Sequence, residues 1–586
     1  MALPRAGRGQ DAQDTLESPQ SKNAETTPVA AKTTLHGVVL NTATGEPLPR
    51  ALVRVLGEGD VAGALTDGEG RFAIADVALG PQQIEAQKPG FLDEMAETAA
   101  RGQWNETDFA HTVLVAAGAP DLELRLEPAN SIRGQVMLST GETARDIQIT
   151  LLKQTVDQGR TTWQVGATGT TNADGVYRFG GLADGQYALY SAPEMENGPG
   201  MMLAEPGRTR NVEHKGYPSL FYPQAHDLAG AAKIAVQGGI QTEANLTLTI
   251  EPFYQVSATI PSVEAAAETE LPFRFGPMYS AQVTDSEGHP LAYVAIYDPR
   301  THTVQASLPN GNYMFVVAGT QPRLMLAQGL SPMSMAMPER GRMAGALEFS
   351  VAGRSVSNLR IPVAPVSSGT VEVNLTRTSA HAEDASASTE DAQAVTILLS
   401  QAGGSVGFGM ISQYAHGPLS GPLTTQYVPP GTYWAHTNVA DQHICVGSLS
   451  AGGANLAREP LVVSTNGPSV PLAINLRDDC ARLTLNLPAA AAGTGVGEEP
   501  FYTVYVVPEI DSTEDVVPRT LRGSTGGIAT LDDLTPGSYR VYVFDKPVAL
   551  AYHDRDALQS LPGPGQTVEL APGSSVTLVL EVPSHE

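Results

Sequence analysis

The sequence predicts an all-β protein, a tandem array of about five small β-sandwich domains. Three observations predict it: a length beyond the reach of one hydrophobic core, a turn-and-strand motif recurring at domain-sized intervals, and no persuasive amphipathic helix of 12 or more residues. Single cores stop growing near 250 to 300 residues and common domains hold roughly 100 to 150. A 586-residue chain therefore divides into roughly four to six domains. Its 59 Gly and 43 Pro exceed the average share of roughly 12 %, which suits short strands joined by many turns.

The motif is an apolar residue, two turn formers, Gly, any residue, then usually Tyr leading into an alternating strand. It occurs as LADGQYAL from Leu182, LPNGNYMFVV from Leu308, VPPGTYWAH from Val428 and LTPGSYRVYVF from Leu534, with VALGPQQIEA from Val77 as a degenerate first copy. Its glycines, Gly80, Gly185, Gly311, Gly431 and Gly537, are separated by 105, 126, 120 and 106 residues. Pro early in such a turn fixes φ, and Gly supplies backbone freedom that other residues lack. The residues that follow alternate in direction, as a half-buried strand requires.

A second recurring element closes each interval: LELRLEP after Asp121, NLTLTIEP from Asn245, NLRIPVAP from Asn358, PLAINL from Pro471 and VTLVLEVP from Val576. These strands set the expected domains at 33–129, 130–251, 252–366, 367–479 and 480–586, after a disordered segment 1–32. Thr378 to Ala394, rich in Ala, Ser and acidic residues, and Ala489 to Glu499 read as mobile loops.

The first interval carries LHGVVL, then TATGEPLPRALV, then Thr66-Asp67-Gly68-Glu69-Gly70-Arg71-Phe72, then a turn and a strand ending near Lys88-Pro89-Gly90-Phe91. In this it resembles the carboxypeptidase regulatory-like domain. The second interval, with IRGQV at Ile132 and NADGVYRF from Asn172, resembles it less fully, and the later three share the turn and terminal strand. The resemblance implies transthyretin-like or immunoglobulin-like sandwiches, an accessory role beside enzymes, a carbohydrate-binding-like fold, and bacterial exported proteins as the setting. Fold alone confers no activity.

Charge narrows the partners. With 62 acidic against 35 basic side chains the formal net charge is -27, so the surface repels phosphate backbones and nucleic acid is not an expected partner. The sequence shows no apolar run long enough to cross a membrane as a helix and no polybasic patch. The first 32 residues lack the apolar region of a secretory signal. Taken alone that indicates a cytoplasmic protein, whereas the resemblance favours an extracytoplasmic one (periplasm, cell surface or secreted) whose signal lies upstream of Met1; both locations stay open.

Cys445 and Cys480 are the two cysteines. Either they pair, closing a loop of about 35 residues worth roughly 3 to 4 kcal/mol, or they are unrelated thiols. Two cysteines are too few for a four-Cys zinc site.

Catalytic chemistry finds little footing. None of the 12 histidines has Glu three residues on, so the zinc pair of a metallocarboxypeptidase is missing; His416, His436 and His443 read as surface residues. Gly403-Gly404-Ser405-Val406-Gly407 fits a nucleophile elbow, but the following residues read as strand rather than the helix the elbow needs. Asp67 to Gly70 and Asn172 to Gly175 could ligate Ca²⁺ and read better as hairpin turns. No phosphate loop and no cofactor signature is present.

The expected function is that of a non-catalytic binding or scaffold protein whose partner is a polysaccharide or a cell-envelope protein. Trp104, Trp163, Tyr222 and Trp434 are the candidate sugar platforms, although aromatics in strands more often pack inward. The alternatives are a purely structural envelope spacer, expected to be extended, and a hydrolase with an unrecognised site.

Overall fold

The computed structural model describes residues 32–581 apart from 57–61, 93–110, 158, 196–213, 262–277, 287, 321–341, 366–370, 377–393, 403–411, 420–422, 426–427, 429, 442, 465–466, 469, 489–500, 510–518, 525–526, 545–547 and 562. The expected disordered start (except Lys32), both expected mobile loops (except Ala394), Trp104 and Ser405 lie outside the described residues. The regular secondary structure among the described residues is almost entirely strand, with one short helix at Arg555–Gln559.

Buried apolar residues gather into successive cores along the chain: Leu35 to Leu126, Ile132 to Leu248, Val256 to Ile361, Val371 to Leu476 and Ala481 to Leu580. We refer to these as the first to fifth units. Each arises from strands whose side chains alternate, as in Leu122–Leu126, Thr303–Leu308 and Leu472–Arg477, where every second residue is buried. Two sheets bury such faces against one another. Each fully buried Leu or Ile, for example Leu151 or Leu189, contributes about 1.5 to 3 kcal/mol.

A shared topology runs through the units. The opening strand pairs in parallel with the closing strand: Lys32–Asn41 with Leu122–Leu126, Asn130–Leu138 with Leu246–Leu248, Glu251–Thr259 with Val356–Arg360, Val371–Thr376 with Leu472–Arg477, and Ala481–Asn486 with Ser575–Val579. Parallel neighbours need a crossover, and here the crossover is the second sheet of the sandwich. The recurring glycine opens a strand of that second sheet every time, at Gly80–Gln87, Gly185–Ser191, Gly311–Thr320, Gly431–Val439 and Gly537–Phe544.

The tyrosine two residues later has a specific task. Tyr187 Oη donates to Ala183 O at 2.9 Å, Tyr313 Oη to Pro309 O at 3.2 Å and Tyr539 Oη to Thr535 O at 2.5 Å, each four residues back across the turn. A Cβ on Gly311 or Gly431 would meet the ring of Tyr313 or Tyr433, so the glycine leaves the room the ring occupies. The turn is thus closed by a buried hydroxyl in the manner of a tyrosine corner.

Consecutive units are joined by more than linkers. The strands Glu194–Met195 and His214–Tyr217 extend the sheet of the third unit by pairing with Glu251–Thr259. Asp184 N of the second unit donates to Glu127 Oε1 at the end of the first, beside Asn130, which is fully buried where the second unit begins, donates to Leu182 O and Asp184 Oδ1 and accepts from Gly239 N and Ile240 N.

Candidate functional site

Of the four aromatic candidates, the three that lie among the described residues are not free platforms. Trp163, on the strand Arg160–Thr170, packs against an outer apolar cluster of Leu152, Ala188, Tyr190 and Phe221. Tyr222, which precedes a cis proline, packs against the core of the second unit. Trp434 is half-buried on the strand Gly431–Val439, and one ring face is covered by the Arg160 guanidinium, whose carbon lies 3.5 Å from the ring centroid. The structure does not bring these three rings into one groove that it outlines.

What it does bring together is a junction of three units around Arg160. The hairpin formed by Gln148–Asp157 and Arg160–Thr170 projects from the second unit. Arg160 Nη2 donates to Ala457 O of the fourth unit at 2.7 Å and its guanidinium stacks on Trp434. On the other side His553 N of the fifth unit donates to Gly159 O at 3.0 Å, and Gly159 lies so close to the Tyr552 ring that an added Cβ would overlap it. Gly159 also has φ +71°, a conformation that suits glycine.

Electrostatics follow from this packing. Tyr433, Ala435 and Thr437 face the core, so Trp434 and His436 share the opposite face of their strand. His436 Nε2 lies 3.2 Å from Ser400 Oγ. Burial first, and then the Arg160 charge, push the His436 imidazole down to about 4. His553 is pushed in the same direction by burial, then by Arg160 and His436; the residue as a whole is nonetheless exposed, and solvent screens those charges, so His436 is the more firmly neutral of the two. Burial raises Tyr552 above the ordinary tyrosine range, with Tyr505 second and Asp157 also contributing.

Other candidate groups are spent on local structure. Asp67 Oδ1 accepts from Glu69 N and Arg71 N, and Asn172 Oδ1 from Asp174 N and Val176 N, which closes two equivalent hairpin turns. His416 and His436 flank the strand Val395–Gln401 on opposite sides, and His443 N donates to Asp441 Oδ1. Among the described residues no three His, Cys, Asp or Glu side chains converge as metal ligands would.

Cys445 and Cys480 are joined in a disulfide. Cys445 begins a strand of the fourth unit, while Cys480 directly precedes Ala481–Asn486, the opening strand of the fifth. The bond therefore spans a junction, beside Thr535 Oγ1, which donates to Val446 O at 2.7 Å. Third and fourth units meet through Gln401 Nε2, which donates to Gly288 O at 2.8 Å, and through His289 Nε2, 2.9 Å from Ala402 O.

Sequence reasoning did not single out Arg160, Gly159, Tyr552 or His553. Arg160 and Ala457 are 297 residues apart, and no local pattern marks either one as a contact.

Residues 34–112 match the carboxypeptidase regulatory-like domain, and this segment is such a domain. No curated protein matches the chain. Solved structures with partial similarity include the TIE protein of Bacillus anthracis, 13 % identical over 56 % of this chain and 51 % of that one, with a TM-score of 0.16. This chain thus spans about half the length of the TIE protein. The minor pilin GBS52 of Streptococcus agalactiae is 13 % identical over 41 % of this chain and 100 % of its own, with a TM-score of 0.17. The shaft pilin SpaA of Lactobacillus rhamnosus GG is 11 % identical over 38 % and 98 %, again at 0.17. With TM-scores this low, nothing about the arrangement or partners of this chain follows from them.

Proposed function

We propose that this chain is a non-catalytic, extracytoplasmic scaffold whose five sandwich domains, at 33–129, 130–251, 252–366, 367–479 and 480–586, are fastened together to present a cell-envelope protein with one composite surface. The observation that carries this reading is the hairpin end at Gly159 and Arg160, which holds the second unit to the fourth and the fifth at once. A spacer that merely sets distance has no use for such a tie. The disulfide supports an oxidising compartment, since such bonds persist outside the cytosol. The regulatory-like match at 34–112 and the use of polar side chains in turns and ion pairs, such as Arg477 with Asp479 and Arg540 with Glu509, support a structural rather than a catalytic role.

Polysaccharide binding draws no support from Trp163, Tyr222 or Trp434, whose faces are half-buried or covered. Small-angle scattering at pH 7.5 tests the fastened scaffold. The expected pair-distance distribution has one dominant maximum; the long, stepped tail of a rod of separate domains would overturn the reading.

A further inference from the structure

We propose that the junction of Arg160, Trp434, His436 and His553 is an acid-released latch, in which protonation of the two histidines frees the hairpin of the second unit from the fourth and fifth units. This rests on the fastened assembly proposed above.

The geometry supplies the mechanism. Arg160 is held in place by its stack on Trp434 and its bond to Ala457 O, and a guanidinium does not lose its charge at any relevant pH. His436 lies two residues from Trp434 on the same strand face, and His553 lies at the contact with Gly159. A proton on His436 sets a second cation against Arg160 where water is partly excluded and screening is weak, and one on the more exposed His553 adds a screened repulsion of the same sign. The groups around the pair come from each packed element: Arg160 and Asp157 from the hairpin, Ser400 from the neighbouring strand, and Tyr552 from the fifth unit. Asp157, the carboxylate of this set, acts on Tyr552, whereas His436 feels burial and then Arg160.

The sign follows directly. Well above about pH 6.5 both histidines are neutral whether the latch is closed or open. As pH falls from there, an opened His436 takes up a proton and the closed one, held down to about 4, does not. Closure is therefore weakened progressively between those values, by on the order of 10²-fold in the closed-to-open ratio from His436, and the effect levels off below about pH 4.

The test uses the full chain carrying Trp104→Phe and Trp163→Phe, which leaves Trp434 as the one indole. Its acrylamide quenching and the scattering profile are followed from pH 7.5 to 4. Low quenching and a compact profile at pH 7.5, turning reversibly into high quenching and an expanded profile with unchanged far-ultraviolet circular dichroism, are expected. Gly159→Val, which drives a side chain into Tyr552, gives the open signal at every pH, and His436→Gln/His553→Gln stays closed down to pH 4. If that double variant misfolds, the single His436→Gln chain must open at lower pH or with smaller amplitude. Quenching that stays low to pH 4 in the parent while Gly159→Val reads open, or acid opening identical in the glutamine variants, overturns the latch. A chain already extended at pH 7.5 sinks the scaffold as well, whereas one compact throughout sinks the latch alone.

Discussion

At Tyr539 a single hydroxyl does two jobs, since it satisfies the Thr535 carbonyl inside the protein and pins the turn that opens the strand Gly537–Phe544. The residue is 1 % exposed, so water cannot replace the bond. Tyr539→Phe keeps the ring and leaves that buried acceptor without its donor, which costs about 1 to 3 kcal/mol. Urea denaturation followed by fifth-unit amide exchange is expected to show that loss, with the other units unchanged; a midpoint equal to the parent would mean the ring alone matters. The glycine-tyrosine spacing was legible in the sequence because turn chemistry repeats locally. The purpose of the hydroxyl was not, since a bond to a carbonyl four residues upstream leaves no compositional trace. Asn130 was hidden for a related reason: in EPANSIRG it looks like one more polar linker residue, yet its four hydrogen bonds are made inside the fold.

At the scale of the strand, parallel pairing of the first and last strands sets how near the backbones approach. A Cβ on Gly37 would strike Leu122 O and the Phe72 ring, and one on Gly134 would strike Ala244 O and Tyr177 Oη. Both glycines belong to the G-x-V strings that suggested a regulatory-like domain, and their role is steric rather than conformational. Gly37→Ala should therefore destabilise the first unit by about 1 to 3 kcal/mol through overpacking. Gly68→Ala, at a turn position where an added Cβ meets nothing within 4 Å, should be neutral or stabilising by up to about 1 kcal/mol. Thermal melts of the two variants check the contrast; equal effects would show that glycine content rather than close approach governs the strand. The same pairing explains why the second unit could be recognised from a partial pattern. Thr66 and Thr171 make matching bonds, each donating to a carbonyl, Leu48 O or Ala144 O, and accepting a backbone N–H, from Ala51 or Ile147.

Across the whole molecule, the units were legible because each repeats a local rhythm, whereas the fastenings between them join residues that lie far apart in the chain and only the folded chain brings them together. The cysteines sit between these cases. The sequence left a staple closing one loop and two unrelated thiols equally open, and the structure places a bond across the boundary of two cores, where it also limits how the fifth unit turns against the fourth. Cross-linking at a sequence separation of 35 restricts the unfolded chain by about 3 to 4 kcal/mol, and it also keeps Thr535 within reach of Val446 O and His553 beside Gly159. Replacing both residues, as Cys445→Ser/Cys480→Ser, should lower the urea midpoint of the fourth and fifth units together and speed amide exchange at His553, whose N–H is bonded to Gly159 O and which lies far from the bond in sequence. If exchange quickens near residue 480 but the His553 amide is unaffected, the bond is a local staple and the hairpin junction holds the fifth unit without it.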